Sequence, residues 1–289
     1  MKKISFIGVG VNKCGTTWLY QQLAAHPEVC VSKQKETHYF ARAYNPDSTW
    51  YEQQFDHCKP GQITGEFSPE YLHDPQALER IKSHLPETKI LVALRHPIDR
   101  LRSSWEFDYN RGAHGYRRFK DYADHAHPVK KEQSFYAPYL EKLYTLFPAE
   151  QIHVILFDDI RDNPSVVLND LFSFLEVDPS LHTRNVSEKS NDSKKVSTRY
   201  PIINRTLFRI RRFFKRTRFG NIFVRPLKAI GINAIANLIF AYNRGGKTAS
   251  DTLDSQLTEE ERAQLWEEFL PDVKATGRLL GTTLTDRWK

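Results

Sequence analysis

Cysteine is scarce in this chain: three residues in 289, Cys14, Cys30 and Cys58, with no CxxC pair. An odd, sparse set argues for a reducing compartment and against a disulfide scaffold. Long apolar runs are missing as well, and no stretch approaches the ~20 apolar residues of a membrane span. The opening "MKKISFIGVG" is too short in its apolar run for a signal peptide and reads as a first strand. These absences lead us to expect a cytoplasmic chain. Acidic residues are absent from Ser193 to Ser250, a stretch that holds 14 Lys and Arg. Setting those 14 apart from the 42 basic residues leaves 28 against 35 acidic ones, a net of −7, so the overall +7 belongs to one segment. That segment is expected to face something anionic.

What is present describes a globular chain, 40% hydrophobic and 12% aromatic, long enough for one large domain. Apolar runs predict strands over Ile4–Gly8, Ile63–Glu66, Lys89–Leu94 and Ile152–Phe157. Between and after them, helical patterns cover Thr17–Ala25, Pro75–Leu85, Ile98–Asn110, Ser134–Phe147 and Ser165–Leu175. Strands apolar on both faces and separated by helices predict an α/β fold, a central parallel sheet flanked by helices. A helical C-terminal part follows. Its last element, Thr258–Leu280, opens with "LTEEER", acids in the first turn. We expect one domain over 1–289, with an α/β core at 1–192, the basic segment at 193–250 and a C-terminal helix within 251–289.

After the first strand comes "GVGVNKCGTTW", residues 8–18, with the G-x-x-x-x-G spacing of a phosphate-binding loop from Gly10 to Gly15. Strand, loop and helix together aim backbone N–H groups at an anion. Lys13 adds charge, and Thr16 and Thr17 add hydroxyl donors. A nucleotide kinase would place Lys and then Ser or Thr after Gly15, and that pair is absent. A cysteine phosphatase would need an arginine where Tyr20 stands. Cys14 therefore reads as a small loop residue rather than a nucleophile, although Lys13 and a helix N-terminus would lower its pKa.

"NKCGTTWL" resembles the 5′-phosphosulfate loop K-x-G-T-T-W of sulfotransferases that use 3′-phosphoadenosine 5′-phosphosulfate (PAPS). "LVALRHPIDRLRSSW" resembles that family's 3′-phosphate motif, a strand followed by R-x-P-x-x-R-x-x-S, with Arg95 at a strand end and Ser103 in the next helix. Arg95 would leave the strand where ligands of open α/β sheets bind, and Arg with Ser suits a terminal phosphate. The resemblance implies a P-loop-like fold, PAPS as co-substrate and no metal. It implies that Lys13 steadies the leaving 5′-phosphate and that Cys14, Gly15, Thr16 and Thr17 belong to its loop. Trp18 would stack on adenine or pack in the core.

On the acceptor side, "SKQKETHYFAR", residues 32–42, resembles the K-E-x-H-[FY]-F segment of the carbohydrate branch, Golgi-type and bacterial. There the glutamate is the base. Glu36 takes that place, with His38 as its partner or as the alternative base. "GEFSPEYL", residues 65–72, resembles the family's E-K-[ST]-P-x-Y. Glu66, Ser68, Pro69 and Tyr71 match, and Phe67 replaces the lysine. Lys33 and Lys35 are the nearby cations that could substitute. Lys194, Lys195 and Arg199 resemble, loosely, a basic loop that closes over the 3′-phosphate.

The acid-free segment is open to three readings: a helical lid, a contact with anionic membrane, or a dimer surface. Charge alone would permit nucleic acid, but no such motif accompanies it. The expected activity is sulfuryl transfer to a hydroxyl of a carbohydrate, glycolipid or secondary metabolite. A nucleotide kinase and a silent nucleotide-binding module are the alternatives. Acceptor identity and oligomeric state are not encoded in these motifs.

Overall fold

A computed structural model describes residues 4–47, 49–125, 128–185, 200, 203, 204, 206 and 253–288. Of the acid-free segment only four residues are among them. Its expected helices, with Lys194, Lys195 and Arg199, lie outside the described residues.

The described residues group into two compact units, the first spanning 1–100, 128–190 and 263–289 and the second 101–127 and 191–262. The first unit holds five strands: β1 (Phe6–Gly10), β2 (Val29–Val31), β3 (Ile63–Phe67), β4 (Lys89–Leu94) and β5 (Ile152–Leu156). They form one parallel sheet in the order β2-β3-β1-β4-β5. All five residues of β1 are buried, as a strand covered on both faces requires. The helices between strands are α1 (Thr16–Ala24), the short α2 (Trp50–Gln53), α3 (Pro75–His84) and α4 (Pro97–Asn110). Asp74 caps α3, its side chain accepting from the Gln76 and Ala77 amides, and Pro75 takes the first helical position. Past α4 lie α5 (Phe119–His125), α6 (Pro128–Glu132) and α7 (Ala137–Leu146); α8 (Phe157–Asp162) and α9 (Pro164–Leu175) follow β5.

Close packing at the sheet centre depends on a missing side chain. The Phe67 ring of β3 lies across Gly8 of β1, and a Cβ on Gly8 would stand 2.1 Å from Phe67 Cδ1. The expected first strand ended at Gly8, but β1 runs on to Gly10, which pairs with Val92 of β4 past an irregularity at Val9.

Helix α10 (Glu259–Leu279) starts with a reciprocal cap in the second unit. The Glu261 amide donates to Thr258 Oγ1 at 3.1 Å, and the Thr258 amide to a Glu261 carboxylate oxygen at 3.0 Å. The same carboxylate takes two bonds from Arg118 Nη2, at 2.7 and 2.9 Å. A short α11 (Leu284–Arg287) ends the chain, with Trp288 behind it 1% exposed in the first unit. Among the described residues no helix is long and apolar enough to cross a membrane.

One expectation is corrected. Cys30 and Cys58 form a disulfide, with Cα atoms 5.6 Å apart, and only Cys14 is free. An odd count rules out pairing all three cysteines, not two of them. The turn after α2 returns the chain to β2, which sequence spacing alone does not show.

Candidate active site

Four loops leave the C-terminal ends of β2, β3, β1 and β4, the edge where parallel α/β sheets bind ligands. The loop after β1 carries the residues expected to bind phosphate. Lys13 (φ 74°) and Gly15 (φ 88°) are both left-handed, and Gly15 is the N-cap of α1. A glycine brings no side-chain oxygen to that cap, a setting in which a helix N-terminus suits an anion. A Cβ on Gly15 would meet Phe157 and Ile160 at 3.1 Å, so a small residue is also required by packing. Thr16 is buried, while Lys13 and Thr17 are half-buried.

Arg95, just past β4, reaches this loop. Its Nη1 donates to the Lys13 carbonyl at 3.3 Å, and its guanidinium lies 4.4 Å from the Phe157 ring centre. The Tyr136 hydroxyl holds the Arg95 carbonyl at 2.7 Å. Two motifs 82 residues apart in sequence therefore meet through one hydrogen bond. Arg100, from the same motif, is fully buried and clasps the turn before α7, donating to Ser134 Oγ at 2.6 Å and to Gln133 at 3.4 Å. Ser103 is in the second turn of α4 and belongs to the second unit.

One loop residue differs from expectation. Cys14 is buried, its thiol donating to the Asn12 carbonyl at 3.8 Å. Burial pushes that thiol up to about 12, against the opposing charges of Arg100 and Arg95. Desolvation thus outweighs the lowering expected from Lys13 and the helix end. Trp18 is buried, 7% exposed, as its packing alternative has it.

The loop after β2 leaves the same edge of the sheet. Glu36 (φ 63°) and His38 (φ 55°) are both left-handed, an uncommon state for side-chain-bearing residues. Glu36 is 39% exposed and paired with Lys35 Nζ at 2.6 Å. Of the two nearby cations, Lys35 is the one that meets the carboxylate, and Lys33 is exposed. His38 Nδ1 lies 2.6 Å from Glu70 Oε1, with Arg42 at 3.6 Å from the same oxygen. Burial acts to raise the Glu70 carboxyl, but His38 and Arg42 hold it below the ordinary carboxylate range. Sequence reasoning gave Glu70 no part, since it falls at the variable position of S-P-x-Y.

Glu66, at the end of β3, is fully buried and surrounded by hydroxyl groups. Burial pushes its carboxyl up, while hydrogen bonds from Ser68, Thr37, Tyr71 and Tyr51 act against that shift. Phe67, which stands where the related motif has lysine, is packed over Gly8 and cannot serve as a cation.

A family model described as "Sulfotransferase domain" matches residues 4–220. The membrane-associated sulfotransferase kil1 of Dictyostelium discoideum is 22% identical over 263 residues, covering 60% of this chain and 56% of that protein. Heparan sulfate glucosamine 3-O-sulfotransferase 5 of Homo sapiens is 29% identical over 194 residues, covering 62% and 55%. The chain thus spans about half the length of these curated relatives. Among solved structures, a sulfotransferase from Alicyclobacillus acidocaldarius superposes with a TM-score of 0.66 at 20% identity, over 98% of this chain and 97% of that one. It shows the same fold.

Proposed function

The chain belongs to the sulfotransferase domain family, and from that premise we propose that it moves the sulfuryl group of PAPS onto an acceptor hydroxyl. The observation that carries this reading is the bond from Arg95 to the Lys13 carbonyl, which joins the two donor motifs at the sheet edge. PAPS supplies the sulfuryl group. The first amides of α1, with Thr16 and Thr17, hold its 5′-phosphate. Lys13 stabilises charge on that phosphate as the bond to sulfur breaks. Arg95 and Ser103 take the 3′-phosphate, with Lys194, Lys195 and Arg199 closing over it. Glu36 accepts the acceptor proton as the new oxygen–sulfur bond forms, with Lys35 Nζ 2.6 Å from its carboxylate. Adenosine 3′,5′-bisphosphate leaves. Lys13 does the work a divalent ion does in a kinase, so no metal is assigned.

The acceptor is a carbohydrate, glycolipid or secondary-metabolite hydroxyl. The K-E-x-H-[FY]-F match and the relative named for heparan sulfate glucosamine both favour a sugar. The catalyst is one domain over 1–289 in the cytoplasm, and residues 193–250 serve as a lid over the site, as a contact with an anionic membrane face or as a dimer surface. The relative named as membrane-associated supports that contact. The Cys30–Cys58 disulfide weighs for an oxidising compartment instead.

The test is incubation with labelled PAPS and panels of glycans, glycolipids and metabolites, in the presence of a chelator. Label is expected on an acceptor hydroxyl. Transfer only from ATP with Mg²⁺ would replace this reading by a kinase, and nucleotide binding without turnover would leave a silent module. Glu36→Gln is expected to lower turnover by ~10²–10⁴ with unchanged adenosine 3′,5′-bisphosphate affinity. If only His38→Ala is inactive, the base is the histidine.

A further inference from the structure

Three successive backbone amides in the base loop end on three hydroxyl groups. The His38 amide donates to Ser68 Oγ at 3.1 Å, the Tyr39 amide to Thr37 Oγ1 at 3.3 Å and the Phe40 amide to Tyr71 Oη at 3.2 Å. Each of these hydroxyls donates its own proton to one buried carboxylate. Ser68 and Thr37 reach Glu66 Oε2, both at 2.8 Å, and Tyr71 reaches Oε1 at 2.9 Å. Tyr51 adds a fourth bond to Oε1 at 3.3 Å.

We propose that Glu66 is the positioning residue of the acceptor side: it fixes the direction of three hydroxyls, and they fix the backbone that presents Glu36 and His38. The inference rests on the reading of those two residues as the acceptor-side chemistry. A hydroxyl has one proton to give, and here it is committed to the carboxylate, so its lone pair faces the amide. Only an acceptor-only group imposes that direction on all of them. An amide in place of the carboxylate has to donate from its nitrogen, which turns at least one hydroxyl around and strands a buried amide. The constraint has a clear object. Thr37 sits between two left-handed residues, and such backbone persists only where its surroundings over-determine it. The Glu36 amide is pinned as well, to the Phe67 carbonyl at 2.9 Å.

The test compares the full chain with Glu66→Gln, Thr37→Val and Thr37→Ser. Thr37→Val keeps the shape and removes one hydroxyl, which covers the case in which Glu66→Gln does not fold. Hydrogen exchange over residues 36–41 is expected to quicken by about 10-fold or more in the first two variants, with residues 13–18 unchanged. Turnover should fall ~10–100-fold, with adenosine 3′,5′-bisphosphate affinity within about 2-fold. Thr37→Ser should recover most of what Thr37→Val loses. Unchanged exchange at 38–40 in both Glu66→Gln and Thr37→Val overturns the proposal, as does an equal loss in Thr37→Ser and Thr37→Val. A wild-type protein with no sulfuryl transfer would sink the proposed function, and the exchange result would still decide the role of Glu66 in shaping the loop.

Discussion

At the scale of single residues, burial decides what the phosphate-binding loop can do. Cys14 stands beside Lys13 and before a helix start, a setting that favours thiolate when it is wet. Here the thiol is dry, and with its pKa pushed up to about 12 only about 10⁻⁴ of it ionises at pH 8. The native protein should therefore resist iodoacetamide at pH 8. Unfolding without reductant should expose one thiol, and unfolding with reductant should expose three. Mass spectrometry counts the adducts. Rapid labelling of the native protein would show that the loop opens, and three thiols without reductant would show that Cys30 and Cys58 are reduced in the isolated protein.

At the scale of elements, helix α7 begins without a cap of its own and receives one from a distant segment. Asp272, in α10, accepts the Tyr136 amide at 2.8 Å and the Ala137 amide at 2.9 Å. Asp272→Ala should leave two buried amides unpaired and cost about 2 kcal/mol, or about 4 °C in Tm for a chain of this size. Calorimetry reads that change, and an unchanged Tm would mean that water takes over the cap. Such long-range devices are where sequence reading stops. β4 and β5 were legible because "KILVAL" and "IHVIL" are apolar but for one residue each, Lys89 and His153, and α10 because "LTEEER" puts acids in its first turn. β2 was not, since three residues give no period and Val29–Val31 gains its identity only by pairing with β3. The donor loop was legible as a local pattern, and so were Glu36 and His38. The hydroxyls around Glu66 were not, because Thr37, Tyr51, Ser68 and Tyr71 converge only after folding.

At the scale of the whole molecule, charge and topology divide the chain. A net of +14 over 193–250 against −7 elsewhere predicts binding to vesicles that contain anionic lipid, with release at high salt. Sedimentation measures it, and equal binding to neutral vesicles would leave only the lid and dimer readings. Topology makes a second division. β1 is central, and the chain lays down β2 and β3 on one side before β4 and β5 on the other. The base loop, Glu66 and Glu70 therefore all lie within residues 29–73, one unbroken stretch, while Arg95 meets the Lys13 loop from the opposite flank. If Glu36 and its loop serve the acceptor as proposed, acceptor preference can diverge between relatives, or be transplanted as a single cassette, without touching the residues proposed to hold the nucleotide. The limit on such an exchange is the seam at Phe67 and Gly8: a graft that brings a different residue to position 67 must still lie flat on a glycine, or the two halves will no longer close.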